Sequence, residues 1–379
     1  MQKLPIDRDY LTDLLARLLD VPSPSGYTDS IVHHMGEELD KLGIDFELTR
    51  RGAIRAHMIG EHRKPNRALV AHLDTLGAMV KQLKPTGRLA VAPIGTWSPR
   101  FAEGARVTVF TDTDATYRGT ILPLKASGHV YNEQIDTQPV AWENLEVRLD
   151  ERVLSDRGLF EAGVRVGDYV AIDPQPEFTA GGFLVSRHLD NKAGVSALMA
   201  AAKSILDHGA AIPLDTHLLF TLFEEVGTGA STILHQDVAE MVAIDNSTQA
   251  PGQNSSEYDV TVAVMDSFGP FDYHLTHQIL KLARDHEVAH TRDVFNHYRC
   301  DAASAVEAGN DIRTALICFG LDASHGYERT HVDSLVGLAE LIGLYMQSPA
   351  AVARDRMRLG PMKGFPEQPI ESPPVPERR

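Results

Sequence analysis

The sequence predicts an α/β fold interrupted by a small all-β insertion, and three observations carry that reading. Apolar runs that end in polar residues alternate with helix-period stretches before residue 78 and again after Gly181. Between about residues 79 and 173 the helical period vanishes, and short β-type runs separated by Gly, Pro, Asp and Asn replace it. Hydrophobic residues make up 43% of 379, enough for at least one large core.

The elements follow in chain order. Leu11, Leu14, Leu15, Leu18 and Leu19 recur at helical spacing, and the helix must stop at Val21-Pro22 because proline lacks the donor and clashes with the preceding turn. Ser23 to Gly26 form a loop. A second helix runs from Thr28 to Leu42, with Gly43 as its cap. Extended segments follow at 45–49 and 53–59, and Ala68 to Asp74 is a buried strand with a polar end. In the insertion, residues 107–111, 117–122, 145–149 and 169–172 are strand-like. Beyond it, 191–207 is a helix closed by Gly209, 216–223 and 241–244 are strands, and 271–286 is a helix. A strand at 314–319 and a helix at 334–346 complete the series. The expected division is 1–77 and 179–358 as two segments of one α/β domain, 78–178 as the inserted all-β unit, and 359–379 as a flexible tail rich in proline. No internal repeat is seen.

Composition removes several function classes. Acidic residues outnumber basic ones, 52 to 36, for a formal net charge of −16. Such a surface repels phosphate backbones and anionic lipid, which excludes nucleic acid and membrane as expected partners. Two cysteines, Cys300 and Cys318, have no metal-type spacing; they fit small buried hydrophobes in a reducing compartment. Residues 1–9 carry acids and a proline instead of an apolar signal core, and no apolar run approaches the roughly 20 residues of a membrane helix. The expected setting is the cytoplasm.

Chemistry-bearing residues gather where strands end, the edge at which open α/β sheets bind ligands. His72-Leu73-Asp74 closes one apolar run; residues two apart on a strand share a face, so imidazole and carboxylate can be adjacent. That pairing suits a metal-bound imidazole oriented by an acid, and equally a solvated polar pair. Asp190, in Arg187-His-Leu-Asp-Asn-Lys-Ala-Gly194, stands where a helix N-cap would, yet its two oxygens could also bridge two cations. Glu224 and Glu225 follow the apolar run from Leu219; Gly227 and Gly229 permit the turn that would let both reach one site. Asp245 ends Val242-Ala-Ile244, and His325 lies in Ser324-His-Gly-Tyr-Glu328 after the strand at 314–319. Each alone is more often structural. Five together are not.

The ordered set AHLD, RHLDNKAG, EEVG, AIDN and SHGYE resembles the glutamyl and tetrahedral aminopeptidases, metallopeptidase family forty-two. The resemblance spans nearly the whole chain, including the β insertion after Asp74 and the Gly167-Asp168 step. It implies a three-layer α/β/α zinc-peptidase-like domain with an inserted small β-barrel-like domain. It implies His72 and Asp245 on one metal, Glu225 and His325 on the other, Asp190 bridging, Glu224 as general base and Asp74 orienting His72. Two divalent ions per subunit are expected, zinc first, with cobalt or manganese as alternatives on a mixed nitrogen and oxygen donor set. The implied activity is release of N-terminal residues from short peptides by a homo-oligomer, a dodecamer built through the insertion. Asn191 stands where the family usually has Asp, Thr75 where an acid usually follows Asp74, and Ser-His-Gly-Tyr-Glu where His-Ser-Pro is usual. With the segments at 4–10 and 49–54, these departures resemble a bacterial branch associated with acetylated glutamine-dipeptide osmoprotectants.

Other residues have blander readings. His33, His34, His274 and His277 fit helix surfaces, His331 fits a loop, and His188 fits a supporting position behind Asp190. Asp301 sits near the site by resemblance, without an assigned role. Two rivals share the architecture: a co-catalytic carboxypeptidase and an N-acyl amino acid deacylase. A glycosidase using Glu224 and Glu225 is disfavoured, because adjacent residues do not span the roughly 5–9.5 Å its two carboxylates need. A non-catalytic scaffold would leave this ligand set without purpose, and no GxSxG elbow supports a serine nucleophile.

Overall fold

A computed structural model describes residues 1–113, 115–234 and 238–369. Nine strands form the middle layer. Their order is Phe46–Leu48, Ile54–Met58, Leu214–Thr221, His62–His72, Val238–Thr248, Arg313–Leu321, Val260–Asp266 and Gly269–Pro270, with His290–Val294 paired beside Val260–Asp266. The four central strands are mutually parallel: His62–His72 lies between Leu214–Thr221 and Val238–Thr248, and the latter pairs with Arg313–Leu321. Parallel strands are covered on both faces, which explains their almost unbroken apolar runs.

Alternation along those runs separates two cores. Leu69, Ala71, Val242, Ile244, Ile317 and Phe319 join one apolar cluster with leucines of the helices Arg8–Leu19, Asp29–Leu42 and Val332–Met346 and the alanines of Leu189–Asp207. Ala68, Val70, Met241, Ala243, Leu316 and Cys318 face the other way, against Ala302 and Ala305 of the short helix Asp301–Glu307 and Ala230 beside it. The result is helices on both faces of a sheet. Fully burying one of these branched side chains contributes roughly 1.5–3 kcal/mol.

The insertion is a closed antiparallel barrel of six strands: Gly77–Leu83, Leu89–Ile94, Leu145–Leu149, Thr116–Pro123, Arg106–Phe110 and Tyr169–Ile172. Closure leaves no unpaired sheet edge, and the interior has its own cluster, including Val80, Val107, Val109, Ile121, Val147 and Val170. A third, small sheet of Glu177–Phe178, Phe183–Ser186 and Glu328–His331 joins the chain leaving the barrel to the segment after His325.

Most predicted elements are present within two or three residues of their expected ends. Gly43 adopts φ 68 as the predicted helix cap. The strands Gly77–Leu83, Leu89–Ile94, Val260–Asp266 and His290–Val294 were not predicted. In Gly77–Leu83 and His290–Val294, charged and polar residues such as Lys81, Gln82 and Arg292 dilute the apolar signal, whereas Leu89–Ile94 and Val260–Asp266 are apolar runs too short to be told from other buried segments. The third long helix departs from expectation at its start. Asp190 and Asn191 have non-helical dihedrals and a cis peptide joins them, so the regular helix begins beyond Asn191. Part of the predicted tail is held: the Arg354 guanidinium donates to the carbonyls of Gly360 at 2.8 Å and Pro361 at 3.2 Å. The remainder, residues 370–379, lies outside the described residues. Among the described residues no helix is long and apolar enough to cross a membrane.

Candidate metal centre

The parallel register brings four strand ends to one edge of the sheet. His72 is the last residue of its strand and stands opposite Thr221, just before the two glutamates. Its Nδ1 lies 3.0 Å from the main-chain oxygen of Asp74, and its Nε2 lies 3.1 Å from Oδ1 of Asp190. The other oxygen of Asp190 lies 3.3 Å from Nε2 of His325, whose Nδ1 is 2.9 Å from the carbonyl of Thr96. A carbonyl only accepts, so in both imidazoles Nδ1 carries the proton and donates. Nε2 is left facing the shared carboxylate, the tautomer that a metal ligand needs.

Two groups of donor atoms result. His72, Asp190 and Asp245 form one; Asp190, Glu225 and His325 form the other, with the atoms of each within 4.8 Å of one another. Asp190 belongs to both. All five residues predicted from sequence as ligands are therefore together.

Glu224 and Glu225 sit on the turn after Leu214–Thr221. Gly227 closes this turn at φ 81, where its N–H donates to the Glu224 carbonyl at 2.6 Å. A left-handed residue there favours glycine. Glu225 Oε2 lies 3.7 Å from His325 Nε2. Glu224 Oε2 lies 3.8 Å from His72 Nε2, but Glu224 belongs to neither donor group. Asp74 has a divided task. Its main-chain oxygen meets His72, whereas its carboxylate accepts from the N–H groups of Glu224 at 3.2 Å and Glu225 at 3.4 Å and from Ser25 Oγ. The same carboxylate lies 3.6 Å from His72 Nδ1, so the side chain expected to orient His72 is beside it and also fixes the glutamate turn.

Three further residues hold the site and were not assigned roles from sequence. Glu328 is buried; its Oε2 accepts from the Asp190 N–H at 3.1 Å and its Oε1 from the His325 N–H at 2.8 Å. One carboxylate thus fixes the main chain of a residue from each donor group, including His325 at φ 65, a region that non-glycine residues seldom occupy. Asn246 donates from Nδ2 to Asp190 Oδ2 at 2.8 Å. Asp301 accepts from the Thr221 hydroxyl and from the Ala230 N–H at 2.7 Å, tying together both ends of the glutamate turn. A signal existed for Glu328, which lies inside the Ser-His-Gly-Tyr-Glu run, but nothing local shows that it faces inward.

The remaining histidines stand apart. His188 donates from Nε2 to the barrel carbonyl of Ile172 at 3.0 Å, so it faces the barrel instead of backing Asp190; burial pushes its pKa down to about 3. His331 is not in a loop. It ends the strand Glu328–His331, and its Nδ1 caps the last helix by accepting from the Asp333 N–H at 3.2 Å. His33 is exposed, and His34, His274 and His277 are half-buried on helices. Cys300 and Cys318 are both buried free thiols.

Electrostatics say what the centre lacks. Burial pushes Glu224 and Glu225 well above the carboxylate range. Burial and the charge of Asp190 push Asp245 up to about 7 and Glu328 to about 8. For His325, burial acts to lower the pKa, but the hydrogen bond to Asp190 and the charge of Glu225 outweigh it and push it up to about 11. Asp190 itself is held down: burial opposes its charge, and the hydrogen bonds from His325 and His72 prevail. Buried carboxylates crowd around two imidazoles with too little positive charge to balance them. Divalent cations would supply that charge, and two imidazole nitrogens with carboxylate oxygens are a donor set zinc accepts. The residues fit the group.

A cavity of about 920 Å³ opens over this edge, lined by Asp190, Glu224, Glu225, Asp245 and His325, by Thr96 of the insertion, and by Phe295 and Tyr298. Residues 52–341 match the M42 glutamyl aminopeptidase family. The chain belongs to that family. YhfE of Bacillus subtilis (strain 168) is 36% identical to it over 337 residues, which are 89% of this chain and 97% of that protein. Among solved structures, the TET aminopeptidase of a marine sediment thaumarchaeon superposes with a TM-score of 0.81 at 17% identity, covering 89% of this chain and 96% of that one. The TET1 peptidase of Pyrococcus horikoshii superposes with a TM-score of 0.78 at 21% identity, covering 88% and 98%. At those identities the likeness shows the fold. As an M42 member the chain is a metallo-aminopeptidase, an enzyme acting on peptide bonds with divalent metal ions.

Proposed function

We propose that this M42 enzyme releases N-terminal residues from short peptides with two divalent cations, zinc in the first instance. His72 and Asp245 hold one, Glu225 and His325 the other, and Asp190 spans both. The observation that carries the reading is the division of Asp190 between the two imidazoles, one oxygen to each. When bound, the cations supply Lewis acidity and lower the pKa of water toward neutrality. Glu224 is the base, because it reaches the cavity without belonging to either donor group. It accepts a proton as the water oxygen bonds to the scissile carbonyl carbon, and returns that proton to the amine nitrogen as the C–N bond breaks. Asp74 positions Glu224 through the main chain.

The test is a panel of short peptides with free, N-acylated or C-terminally probed ends, assayed with defined metals. Turnover confined to free-amine peptides, lost on chelation and restored by zinc, cobalt or manganese, supports the reading. Cleavage of acylated substrates alone would replace it with a deacylase.

The Pyrococcus horikoshii TET1 peptidase assembles into a tetrahedron or a large octahedral shell. For this chain a cytoplasmic dodecamer built through the barrel fits the same pattern. Leu154, Phe160 and Val166, exposed at 79%, 57% and 66%, offer the barrel an apolar contact surface. Light scattering should give twelve chain masses; a monomer at micromolar concentration would exclude the assembly.

A further inference from the structure

Tyr298 lies between the strand His290–Val294 and the helix Asp301–Glu307, on a different segment from any residue assigned above to metal or proton transfer. Its main-chain carbonyl accepts from the Ser267 N–H at 2.9 Å, and its ring packs on Phe295 with centroids 5.3 Å apart. Backbone and ring are thus both fixed. The hydroxyl is buried, yet among the described residues it has no hydrogen-bond partner. Tyr10 and Tyr345 also have unpaired buried hydroxyls. Of the three, Tyr298 is the one that lines the cavity with Asp190, Glu224, Asp245 and His325.

A buried hydroxyl without a partner is costly, and the cost disappears when a partner arrives. The hydroxyl approaches the Asp245 carboxylate closely enough to act against the rise in its pKa, but no hydrogen bond of ordinary geometry joins the two, so the O–H is able to turn to an incoming acceptor. A peptide entering the cavity brings a carbonyl oxygen that gains negative charge as water adds to its carbon. A phenol O–H held rigidly beforehand is a suitable donor to such an oxygen, since it needs no reorganisation at the moment of reaction.

We infer that Tyr298 is a further catalytic residue, donating its hydroxyl hydrogen bond to the oxyanion that forms on the scissile carbonyl. The inference rests on the peptide-hydrolysis reading of the same site. No proton need leave the phenol: the hydrogen bond tightens as the carbonyl π pair moves to oxygen, and loosens when the C–N bond breaks and the carbonyl reforms.

The experiment is Tyr298→Phe in the full-length, metal-loaded enzyme with a free-amine dipeptide. Phenylalanine fills the same space, so metal content stays at wild type. The expected result is a fall in kcat of about 10²–10³-fold, the size seen on deleting one oxyanion donor, with KM little changed. A phosphinate dipeptide that mimics the tetrahedral intermediate should lose affinity in parallel. Wild-type kcat, or a change confined to KM, would overturn the assignment. Should the phenylalanine variant misfold, fluorinated tyrosines placed at 298 keep the hydroxyl and alter its acidity. A donor requires kcat to vary with that acidity, and indifference overturns it. A wild-type enzyme inert toward every free-amine peptide removes the parent reading, and this inference with it; an active wild type beside an unimpaired variant removes only the inference.

Discussion

Glu224→Gln should reduce kcat by about 10³-fold while both cations remain bound. The substitution keeps shape and volume and removes only the capacity to accept a proton, a function generally contributing 10²–10⁴-fold. Glu224 stands outside the two donor groups, so the ligand sets are untouched. Its main-chain N–H still donates to Asp74, so the turn that carries Glu225 stays in place. A thousandfold loss corresponds to about 4 kcal/mol of transition-state stabilisation. The measurement is steady-state kinetics beside metal analysis of the same preparation. A glutamine variant with wild-type turnover would remove Glu224 from proton transfer, whereas one that lost metal would make it a ligand.

Asp190→Asn should be more damaging still, because it strikes both cation positions at once. Each carboxylate oxygen of Asp190 faces a different imidazole, and an amide offers one oxygen and one NH2 group instead of two anionic acceptors. Activity should fall by at least about 10³-fold, since removing a bridging charge costs several kcal/mol of metal-supplied stabilisation. Metal content should drop toward zero at both positions. Thermal melting gives an independent reading. A cation at a hundred times its Kd stabilises a folded protein by about 2.7 kcal/mol, so added zinc should raise the wild-type Tm and leave that of the variant unmoved. Retention of one cation per chain would show that Asp190 serves a single position and that the bridging arrangement is wrong.

The two substitutions differ in what the sequence reveals of them. Asp190 and Glu224 were identifiable because each follows or precedes a strongly patterned element, and an acid at the end of so apolar a run is conspicuous. Glu328 has equal geometric importance and no such signal. Its carboxylate turns inward to the N–H groups of Asp190 and His325, a contact spanning 138 residues in one case. His188 shows the opposite error. Its place two residues before Asp190 pointed toward the site, but φ 66 at His188 turns the ring to the barrel instead. Asp74 lies between these cases: its nearness to His72 was legible, and its hold on the glutamate turn was not.

By itself the chain's pattern determined the sheet and helix periods, the predominance of strands in the insertion, which also holds short helices such as Asp156–Glu161, and which acids and imidazoles end the strands. Those properties are local, set by side-chain spacing along a few residues at a time. Only the tertiary structure decided which oxygen of Asp190 meets which imidazole. It also set the Thr96 carbonyl from the insertion against His325 Nδ1 and brought Tyr298 to the cavity beside Asp245. Each of these joins segments far apart in the chain. Their geometry depends on how the sheet, the barrel and the loops pack together, which no spacing within one segment encodes.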